Sequence, residues 1–317
     1  MPELPEVQTT VDGLNRVLPG KKILDVWSGY NSSAYKGKQQ IKNRIYYHFF
    51  KKVIIGRKFI KSERVGKNIL LHLSDKKTIV IHMKMTGHLM FGKYQMIDRG
   101  PKKSKKDVSE KWQDEKWLPN EPLKSALWDP WNRHIRLVFA LSGGKHLVLS
   151  DVRKFAKVFV EETDKLMDNS EIGSLGPDPL KISFKEFMQR INSRQSGKIK
   201  QVLLDQKVLS GIGNIYSDEA LWEVGVHPAT DIKNISEKKY REVFSALNQV
   251  LKKGIKFSGD STSDYRQVDG KKGEFQKKHQ VYGRKGESCL KKDGGKIKTM
   301  KVGGRTAHFC PIHQKKY

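Results

Sequence analysis

The chain begins Met1-Pro2-Glu3-Leu4-Pro5-Glu6-Val7, a stretch that holds two prolines and two glutamates within seven residues. Proline in a first turn and acidic residues near a helix N-terminus are ordinary helix-starting signals. Apolar residues then recur at helical spacing until Pro19-Gly20 ends the pattern: Val7, Val11, Leu14 and Leu18. An amphipathic helix is therefore predicted, with Glu3 and Glu6 three residues apart on one side of it.

The same stretch also has a chemical interpretation. If Met1 is removed, the chain begins with Pro2, a secondary amine able to form an imine, and the carboxylates of Glu3 and Glu6 follow closely. An amine beside two carboxylates has the parts of a nucleophile with proton-transfer partners. The choice between a plain helix start and a reactive N-terminus depends on the rest of the chain.

Composition indicates a globular protein that binds a polyanion. The 317 residues are enough for two domains, and 37% hydrophobic residues with six Trp argue against disorder. The formal net charge is +28, an excess that repels itself unless a polyanion such as nucleic acid compensates it.

The chain shows no sign of membrane attachment or export. No apolar run reaches the roughly 18 residues that span a bilayer, and the acidic, Pro-rich N-terminus does not resemble a signal peptide. Two cysteines do not make a disulfide framework. We therefore expect a cytoplasmic monomer, associated with the nucleoid if the source is bacterial, and no membrane partner.

After Lys22 the sequence has the texture of β structure. Short apolar runs are broken by Gly, Asn and Lys, which is typical of antiparallel sandwiches or barrels rather than of βαβ units. The predicted strands cover residues 52–58, 68–73, 78–83, 134–139 and 146–149.

Residues 93–131 interrupt the strand pattern. The stretch is rich in Lys and Trp and is too long for an ordinary hairpin loop. We treat it as an insertion with its own role, DNA contact being one option. The alternative is a solvated charged loop.

The character of the chain changes again near residue 160. An acidic, polar stretch at 161–174 precedes Gly176-Pro177-Asp178-Pro179, which marks a domain boundary. Helical periodicity follows, in residues 184–191, 199–203, 219–224 and 240–251. A loop rich in Gly, Ser and Asp then leads to a short basic tail with β-like patterning.

Residues 209–216, with the sequence LSGIGNIY, lie where two of these helical patterns meet. Two glycines that flank one residue make a tight turn whose amides can approach a phosphate. In so basic a chain we interpret this turn as a contact to the DNA backbone.

The C-terminal tail contains both cysteines and a candidate metal site. Cys-x2-His spacing suits Zn²⁺, and three ligands can be named: Cys289, Cys310 and His313. A closed structural site needs a fourth ligand. Lys292 stands where a Cys-x2-Cys partner would be, and an ammonium cannot ligate, so Asp293 or His308 would have to serve. The alternative is a hairpin held by packing alone.

Several motifs, in order along the chain, together resemble one known family. They are residues 2–7 (PELPEV), Gly66-Lys67 before an apolar strand, 82–87 (HMKMTG), 151–155 (DVRKF), 200–219, 281–286 (VYGRKG) and 302–305 (VGGR). Across nearly its whole length the chain is similar to the bacterial-type formamidopyrimidine-DNA glycosylases. Lys84 departs from the pattern, since Gly is more usual at that position.

The resemblance implies an α+β fold. An N-terminal β-sandwich preceded by an α-helix would be followed by a helical helix–two-turns–helix domain and a C-terminal β-hairpin of the zinc-finger type. The implied parts are a catalytic domain with the insertion at 93–131, a linker, the helix–two-turns–helix domain, a lesion-recognition loop and the hairpin: residues 1–160, 161–174, 175–257, 258–274 and 275–317.

The resemblance also implies the excision of oxidised purines, such as 8-oxoguanine and formamidopyrimidines, from damaged double-stranded DNA by nucleotide flipping. Pro2 would attack the sugar C1′, and elimination from the resulting iminium would cut the strand. Glu3 would be the acid/base, Lys67 would assist charge development, and Glu6 would be a second carboxylate or an orienting group. An α-amino pKa near ~8 leaves a useful neutral fraction at physiological pH. No organic cofactor is implied.

Seven residues would bind the DNA. By resemblance, Met85, Arg153 and Phe155 fill the space left by the flipped nucleotide, and Lys200, Asn214 and Arg305 hold phosphates on either side of it. Arg284, in the segment that frames the hairpin, is expected to join them.

Two rival functions remain open. One is an endonuclease VIII-like glycosylase for oxidised pyrimidines; Leu4 argues against it, because that group more often resembles Pro-Glu-Gly-Pro-Glu. The other is a non-catalytic DNA-damage binder on the same fold. The intact N-terminal motif and Lys67 argue against such a binder, whereas the departures at Lys84, Lys292 and His313 keep it open as an alternative.

Overall fold

Helix α1 spans Leu4–Val17 in the computed structural model, which describes residues 1–97 and 116–317. Pro5 lies in its first turn, and Glu6 Oε2 accepts a hydrogen bond from the Glu3 backbone amide at 2.7 Å. Val7 and Val11 on its apolar face are buried in the core of the β-sandwich. The predicted N-terminal helix is therefore confirmed.

Two four-stranded antiparallel sheets follow. One has the strand order β1-β8-β9-β5 and the other β10-β4-β3-β2. The strands are β1 (Ile23–Ser28), β2 (Phe59–Val65), β3 (Asn68–Leu73), β4 (Lys77–His82), β5 (His88–Gly92), β8 (Ile135–Leu141), β9 (Lys145–Ser150) and β10 (Lys157–Glu162). The expected sandwich is confirmed, and with it the α+β fold.

The strand β3 is buried on both faces, which explains its unbroken apolar sequence. Ile69 and Leu71 point into the main core between the sheets. Leu70 packs on the other face in a smaller cluster with Phe159 and Ile172. A sheet that is covered on both sides needs no polar alternation.

The strand predicted at 52–58 is wrong. Residues 52–54 instead end the helix α2 (Arg44–Ile54), which the sequence reasoning did not predict. The Asn43 side chain caps this helix by accepting from the Ile45 amide, and Phe50 and Ile54, one turn apart, are buried against the sandwich. The cap and the four-residue spacing of the buried side chains outweigh the β propensity of the Val-Ile-Ile run.

Within the insertion, residues 98–115 lie outside the described residues. On either side of them, β6 (Tyr94–Met96) pairs with β7 (Trp117–Pro119), and short 3₁₀ turns cover Ala126–Trp128 and Pro130–Asn132. Leu118 and Leu127 are buried in a cluster that contains Met90, Val138 and Val148. The described part of the insertion is therefore packed onto the outer face of a sheet rather than solvated.

The second half of the chain is helical, as predicted. It contains α3 (Ser170–Gly173), α4 (Phe184–Asn192), α5 (Ile199–Leu204), α6 (Asn214–Glu223) and α7 (Glu237–Lys256). Its core is formed by residues such as Phe187, Leu203, Tyr216 and Leu247, and it also includes Leu4 from the start of α1. Helix α1 thus begins in the core of the helical half and continues in the core of the sandwich.

The C-terminal hairpin consists of β11 (Lys298–Val302) and β12 (Arg305–Phe309). Val302 pairs with Arg305 across a two-residue turn, Gly303-Gly304, whose residues have φ values of 57° and 74°. A turn of this kind requires positive φ and so favours glycine. The expected C-terminal hairpin is present.

Candidate active site

The carboxylate of Glu3 lies at the N-terminus of α6. Glu3 is 1% exposed, and its oxygens accept hydrogen bonds from the backbone amides of Ile215 at 3.1 Å and Tyr216 at 3.5 Å. A helix N-terminus presents unpaired amides and a positive dipole end, so it favours a carboxylate. Burial nevertheless raises the pKa of Glu3, and the positive charge of Lys67 opposes that rise.

The predicted glycine turn makes this approach sterically feasible. A Cβ at Gly213 would lie 2.2 Å from Glu3 Cδ, and a Cβ at Gly211, where φ is 93°, would lie 2.9 Å from Leu4 Cδ1. The Leu4 amide also donates to the Gly211 carbonyl at 2.9 Å. Both glycines thus allow the N-terminus of the chain to dock on the turn before α6. The predicted phosphate contact of this turn is not tested by the structure, in which the Gly211 amide donates to Gln206 Oε1 at 2.8 Å and Glu3 approaches Gly213.

Glu6 has a different environment from Glu3. Its carboxylate accepts three hydrogen bonds, from the Glu3 amide at 2.7 Å, the Tyr216 hydroxyl at 2.5 Å and the Asp260 amide at 2.7 Å. Burial raises the pKa of Glu6 to about 7, with a further rise from the negative charge of Glu3, while the hydrogen bond from Tyr216 acts in the opposite direction. This arrangement suits a residue that orients the N-terminus.

Lys67 lies at the tip of the hairpin between β2 and β3, after Gly66. A Cβ at Gly66 would lie 3.1 Å from Ser210 Cβ, so the hairpin tip contacts the glycine turn. Lys67 is 7% exposed. Burial lowers its pKa, and the negative charge of Glu3 opposes that change. The structure thus brings together an ammonium group and a carboxylate that lie far apart in sequence.

These groups lie in a cleft with a volume of about 870 Å³. Of the described residues that line it, four are lysine or arginine and one, Glu3, is acidic. The lining includes six of the predicted site residues, namely Glu3, Lys67, Met85, Phe155, Asn214 and Arg305, together with Met1, Tyr35, His82 and Lys84. Pro2 is buried beside Glu3, and its nitrogen is an amide as long as Met1 is attached. The electrostatics of the cleft suit a polyanion.

The two loops predicted to carry Met85, Arg153 and Phe155 form one unit. Asp151 Oδ1 accepts from the Thr86 hydroxyl at 2.5 Å, and Asp151 Oδ2 accepts from the Ala156 amide at 2.8 Å. The Arg153 guanidinium lies 4.5 Å from the centre of the Phe155 ring, which is 46% exposed. Sequence reasoning did not single out Asp151 as the residue that joins the loops.

The backbone conformation at Lys84 explains why glycine is more usual at this position of the methionine-containing loop. Its φ is 54°, in the left-handed region that glycine adopts without strain. A lysine here carries a backbone cost, but it adds a cation to the wall of the cleft.

Lys200 and Arg284 are not presented to the cleft. Lys200 is fully buried in an ion pair with Asp218, whose other oxygen accepts from the His308 amide at 2.9 Å. The Arg284 guanidinium is bonded to Glu287, at 2.8 Å, and to the Gln280 carbonyl, at 2.7 Å. Both side chains are engaged within the protein, so direct phosphate contact, as we expected for Lys200, has no support from their placement. Asn214 and Arg305 both line the cleft, although the Asn214 side-chain amide also donates to the Thr306 carbonyl at 3.0 Å.

A second, smaller cavity of about 150 Å³ lies behind the N-terminus. It is lined by Glu6 and by the loop predicted to recognise the lesion, through Asp260, Thr262, Ser263 and Tyr265. Tyr216 and this loop thus meet at the Glu6 carboxylate, which accepts hydrogen bonds from the Tyr216 hydroxyl and the Asp260 amide. The sequence gives no sign of this contact, because the three residues lie far apart along the chain.

The predicted metal ligands converge in the C-terminal segment. Donor atoms of Cys289, Asp293, Cys310 and His313 all lie within 4.8 Å of one another. His313 Nδ1 faces the group, while Nε2 lies 2.8 Å from the Trp222 carbonyl, which is the usual second partner of a metal-binding histidine. Asp293 is therefore the fourth member of the cluster, whereas His308 is bonded to Asp218.

Comparisons with known proteins agree with this geometry. The model of the formamidopyrimidine-DNA glycosylase N-terminal domain matches residues 1–158, and the model of the formamidopyrimidine-DNA glycosylase H2TH domain matches residues 175–266. The formamidopyrimidine-DNA glycosylase of Heliobacterium modesticaldum is 34% identical over 317 residues, covering 99% of this chain and 100% of that protein. The Pelotomaculum thermopropionicum enzyme of the same name is 32% identical, with 99% of each chain covered.

Solved structures show the same likeness. A Lactococcus lactis Fpg mutant in complex with DNA containing Fapy-dG superposes with a TM-score of 0.78, at 28% identity, covering 99% of this chain and 100% of that one. Lactococcus lactis Fpg in complex with DNA containing an abasic site superposes with a TM-score of 0.77 at 28% identity, with the same coverage.

The fold and the cleft define a DNA-repair enzyme of the glycosylase class. The chain belongs to the formamidopyrimidine-DNA glycosylase family. The expected enzyme class is confirmed. Over the described ranges, no helix is both long and apolar enough to cross a membrane.

Proposed function

We propose that this enzyme removes oxidised purines from duplex DNA through a Schiff base on Pro2 and then cuts the strand by elimination. The observation that carries the proposal is the convergence of three groups at one cationic cleft: the N-terminus, the Glu3 carboxylate and the Lys67 ammonium. A helix start without catalytic function would not require Glu3 to be buried beneath a turn of two glycines.

The chemistry follows from these groups. After removal of Met1, the neutral Pro2 nitrogen attacks the sugar C1′, the C1′–N bond to the base breaks, and the base leaves with the bonding electrons. The proton released by the Pro2 nitrogen ends on the departing base. Glu3, whose pKa is raised by burial, protonates the sugar ring oxygen as the ring opens to the iminium. The iminium acidifies C2′–H. The Glu3 carboxylate, formed when it protonated the ring oxygen, takes that proton, the C3′–O bond breaks with the phosphate as leaving group, and the strand is cut. Lys67 stabilises the negative charge that develops.

The cleft walls would hold the duplex. Met85 and Phe155 offer apolar surface to the gap in the base stack, while Asn214 and Arg305 are placed for phosphates. The Lactococcus lactis neighbours were solved with lesion-containing DNA, which supports the same partner for this chain. We place the enzyme with the chromosomal DNA, in the cytoplasm.

We also propose one structural zinc ion, held by Cys289, Asp293, Cys310 and His313. The donor atoms are separated by 3.5 Å for Cys289 Sγ to His313 Nδ1, 3.2 Å for Cys310 Sγ to Asp293 Oδ2, and 3.0 Å for His313 Nδ1 to Asp293 Oδ2. Bonds of about 2.0–2.3 Å in a tetrahedron would give similar spacings. The ion would fix the segment against α6 through Trp222 and would take no part in the chemistry.

Borohydride trapping tests the mechanism. Protein shown by mass spectrometry to lack Met1 is incubated with duplex DNA containing 8-oxoguanine opposite cytosine and then reduced. We expect a covalent adduct for the wild type and a much slower and weaker one for Pro2→Gly, whose primary amine can still form an imine but lacks the proline ring. Glu3→Gln should bind the duplex normally and trap at least about a hundredfold more slowly.

Two further substrates separate the rival functions. A duplex with an oxidised pyrimidine that traps faster than the 8-oxoguanine duplex would support the endonuclease VIII-like alternative. Binding without an adduct on every lesion and on an abasic site would support a non-catalytic damage binder. A Pro2→Gly variant that trapped as well as wild type would remove Pro2 from the mechanism.

A further inference from the structure

Residues 117–132, at the end of the insertion, contact the loop formed by residues 258–274. The segment is anchored on the outer face of the β1-β8-β9-β5 sheet through Leu118 and Leu127, both 3–4% exposed. Trp128 Nε1 also donates to the Glu121 carbonyl at 3.0 Å. The segment is thus a folded part of the sandwich and can serve as a fixed support.

An ion pair is the first link between the segment and the loop. Arg266, in the loop, is 1% exposed, and its Nη2 lies 3.3 Å from Asp129 Oδ1 and 3.5 Å from Oδ2. The guanidinium lies 5.9 Å from the centre of the Trp131 ring. A buried arginine is costly unless a charge partner compensates it, so the position of Asp129 affects the position of the loop.

Asn132 provides the second link. It is fully buried, and its Nδ2 donates to the Ala126 carbonyl at 2.8 Å and to the Gly270 carbonyl at 3.3 Å. Its Oδ1 lies 3.0 Å from His88 Nε2, on strand β5. Gly270 lies so close that a Cβ there would be 2.8 Å from the Ala126 carbonyl oxygen. Asn132 therefore joins the loop, the segment and the sheet.

Arg266 also contacts two residues that line the small cavity. Arg266 Nη1 donates to the backbone carbonyls of Ser263, at 2.9 Å, and Tyr265, at 2.8 Å. Both residues line the cavity of about 150 Å³ beside Glu6. A continuous set of contacts therefore runs from Asp129, through one guanidinium, to the wall of that cavity.

We propose that residues 117–132 brace the cavity wall, and that Asp129 and Asn132 are positioning residues for a purine base swung out of the duplex into this cavity. The inference rests on the proposed function, because the cavity has this role only if the enzyme flips a base. A loop held in place before binding loses less conformational entropy when it closes on the base. The rate of reaction at lesions that keep their base should therefore depend on the brace, whereas the rate of strand cutting at abasic sites should not.

The test compares two substrates under single-turnover conditions: a duplex with 8-oxoguanine opposite cytosine, and the same duplex with a preformed abasic site. Asp129→Asn should slow base excision roughly tenfold, the change that about 1.4 kcal/mol produces, and leave strand cutting at the abasic site within twofold. Hydrogen exchange of the 260–270 amides in the free enzyme should become faster. Asp129→Glu, which keeps the charge, should recover most of the excision rate.

Asp25→Asn is the matched control. It removes a carboxylate that pairs with Lys51 at 2.6 Å on the sandwich surface, and it should change neither rate nor loop exchange. An equal loss on both substrates with Asp129→Asn, or unchanged excision together with unchanged exchange, would overturn the brace. A wild-type enzyme inactive on both substrates would instead count against the proposed function, so the two failures are distinguishable.

Discussion

The carboxylate of Glu3 occupies the space that a side chain at residue 213 would fill: a Cβ on Gly213 would lie 2.2 Å from Glu3 Cδ. The backbone of Gly213 has φ −135° and ψ −162°, an extended conformation open to any residue. Glycine is therefore required at this position by the approach of Glu3 and not by the backbone.

Gly213→Ala should act through Glu3. The added methyl group displaces the carboxylate from the N-terminus of α6, so we expect strand cutting to fall by about a hundredfold or more, as for loss of a general acid. The measurement is the single-turnover rate on an abasic-site duplex, with melting to confirm that the protein is folded. In a double-mutant cycle, Gly213→Ala should lower the strand-cutting rate only slightly when Glu3 has already been replaced by Gln. Additive losses would contradict this account.

Lys67→Met should change the pH profile. The positive charge of Lys67 opposes the rise in the Glu3 pKa, so its removal raises that pKa further. A general acid works only while protonated, and the rate falls as pH rises through its pKa. The falling limb of the rate profile should therefore move to higher pH, together with a rate loss of roughly a hundredfold.

The control for this prediction is Lys301→Met. Lys301 lines the same cleft but is not among the charges that shift the Glu3 pKa, so the limb should stay in place. A limb that moved equally in both variants would indicate a general effect of charge on the cleft.

Arg305 and Lys200 should respond differently to substitution. Arg305→Ala removes an exposed cation at the cleft, so the slope of log K against log salt for duplex binding should become shallower by about 0.9. Lys200→Met leaves the buried Asp218 without its partner and should lower the free energy of unfolding by about 3–5 kcal/mol. Titrations at several salt concentrations and denaturant melts give both quantities. A shallower slope for Lys200→Met with normal stability would restore Lys200 as a phosphate ligand.

Asp293 should control zinc content. Asp293→Ala removes one of the four proposed ligands, and we expect zinc after dialysis to fall below half an equivalent, whereas Asp293→Cys should retain it. Elemental analysis is the measurement, and Asp168→Ala, in an exposed turn, is the control. Less than half an equivalent in the wild type would mean that the hairpin is held by packing alone.

The sequence predicted four of the eight sandwich strands, β3, β4, β8 and β9, from their apolar runs, and most helices from the regular spacing of their buried residues. Sequence reasoning failed for helices in which burial on all sides, or a β-branched run behind a cap, hides the helical spacing of apolar residues. Helix α6 is buried on nearly all sides from Ile215 to Trp222, so only its second half was recognised. Helix α2 carries a β-branched run, and its cap at Asn43 was overlooked.

For the site, sequence reasoning named six of the residues that line the cleft but not the contacts that decide their roles. A lysine in a motif looks the same whether it faces DNA or a buried carboxylate, and the pairing of Lys200 with Asp218 depends on two helices packing. The same holds for Asp129 and Arg266, which lie 137 residues apart.

The burial of the N-terminus determines how this protein can be handled in the laboratory. Pro2 is buried and Leu4 lies in the helical core, so an affinity tag fused ahead of Met1 would have to emerge through the cleft itself. It would also keep the Pro2 nitrogen in an amide. Tyr317, at the other end, is 45% exposed. Purification handles, dyes and surface attachment therefore belong at the C-terminus, and under the proposed Pro2 mechanism a preparation with an uncleaved N-terminal tag should form no Schiff base.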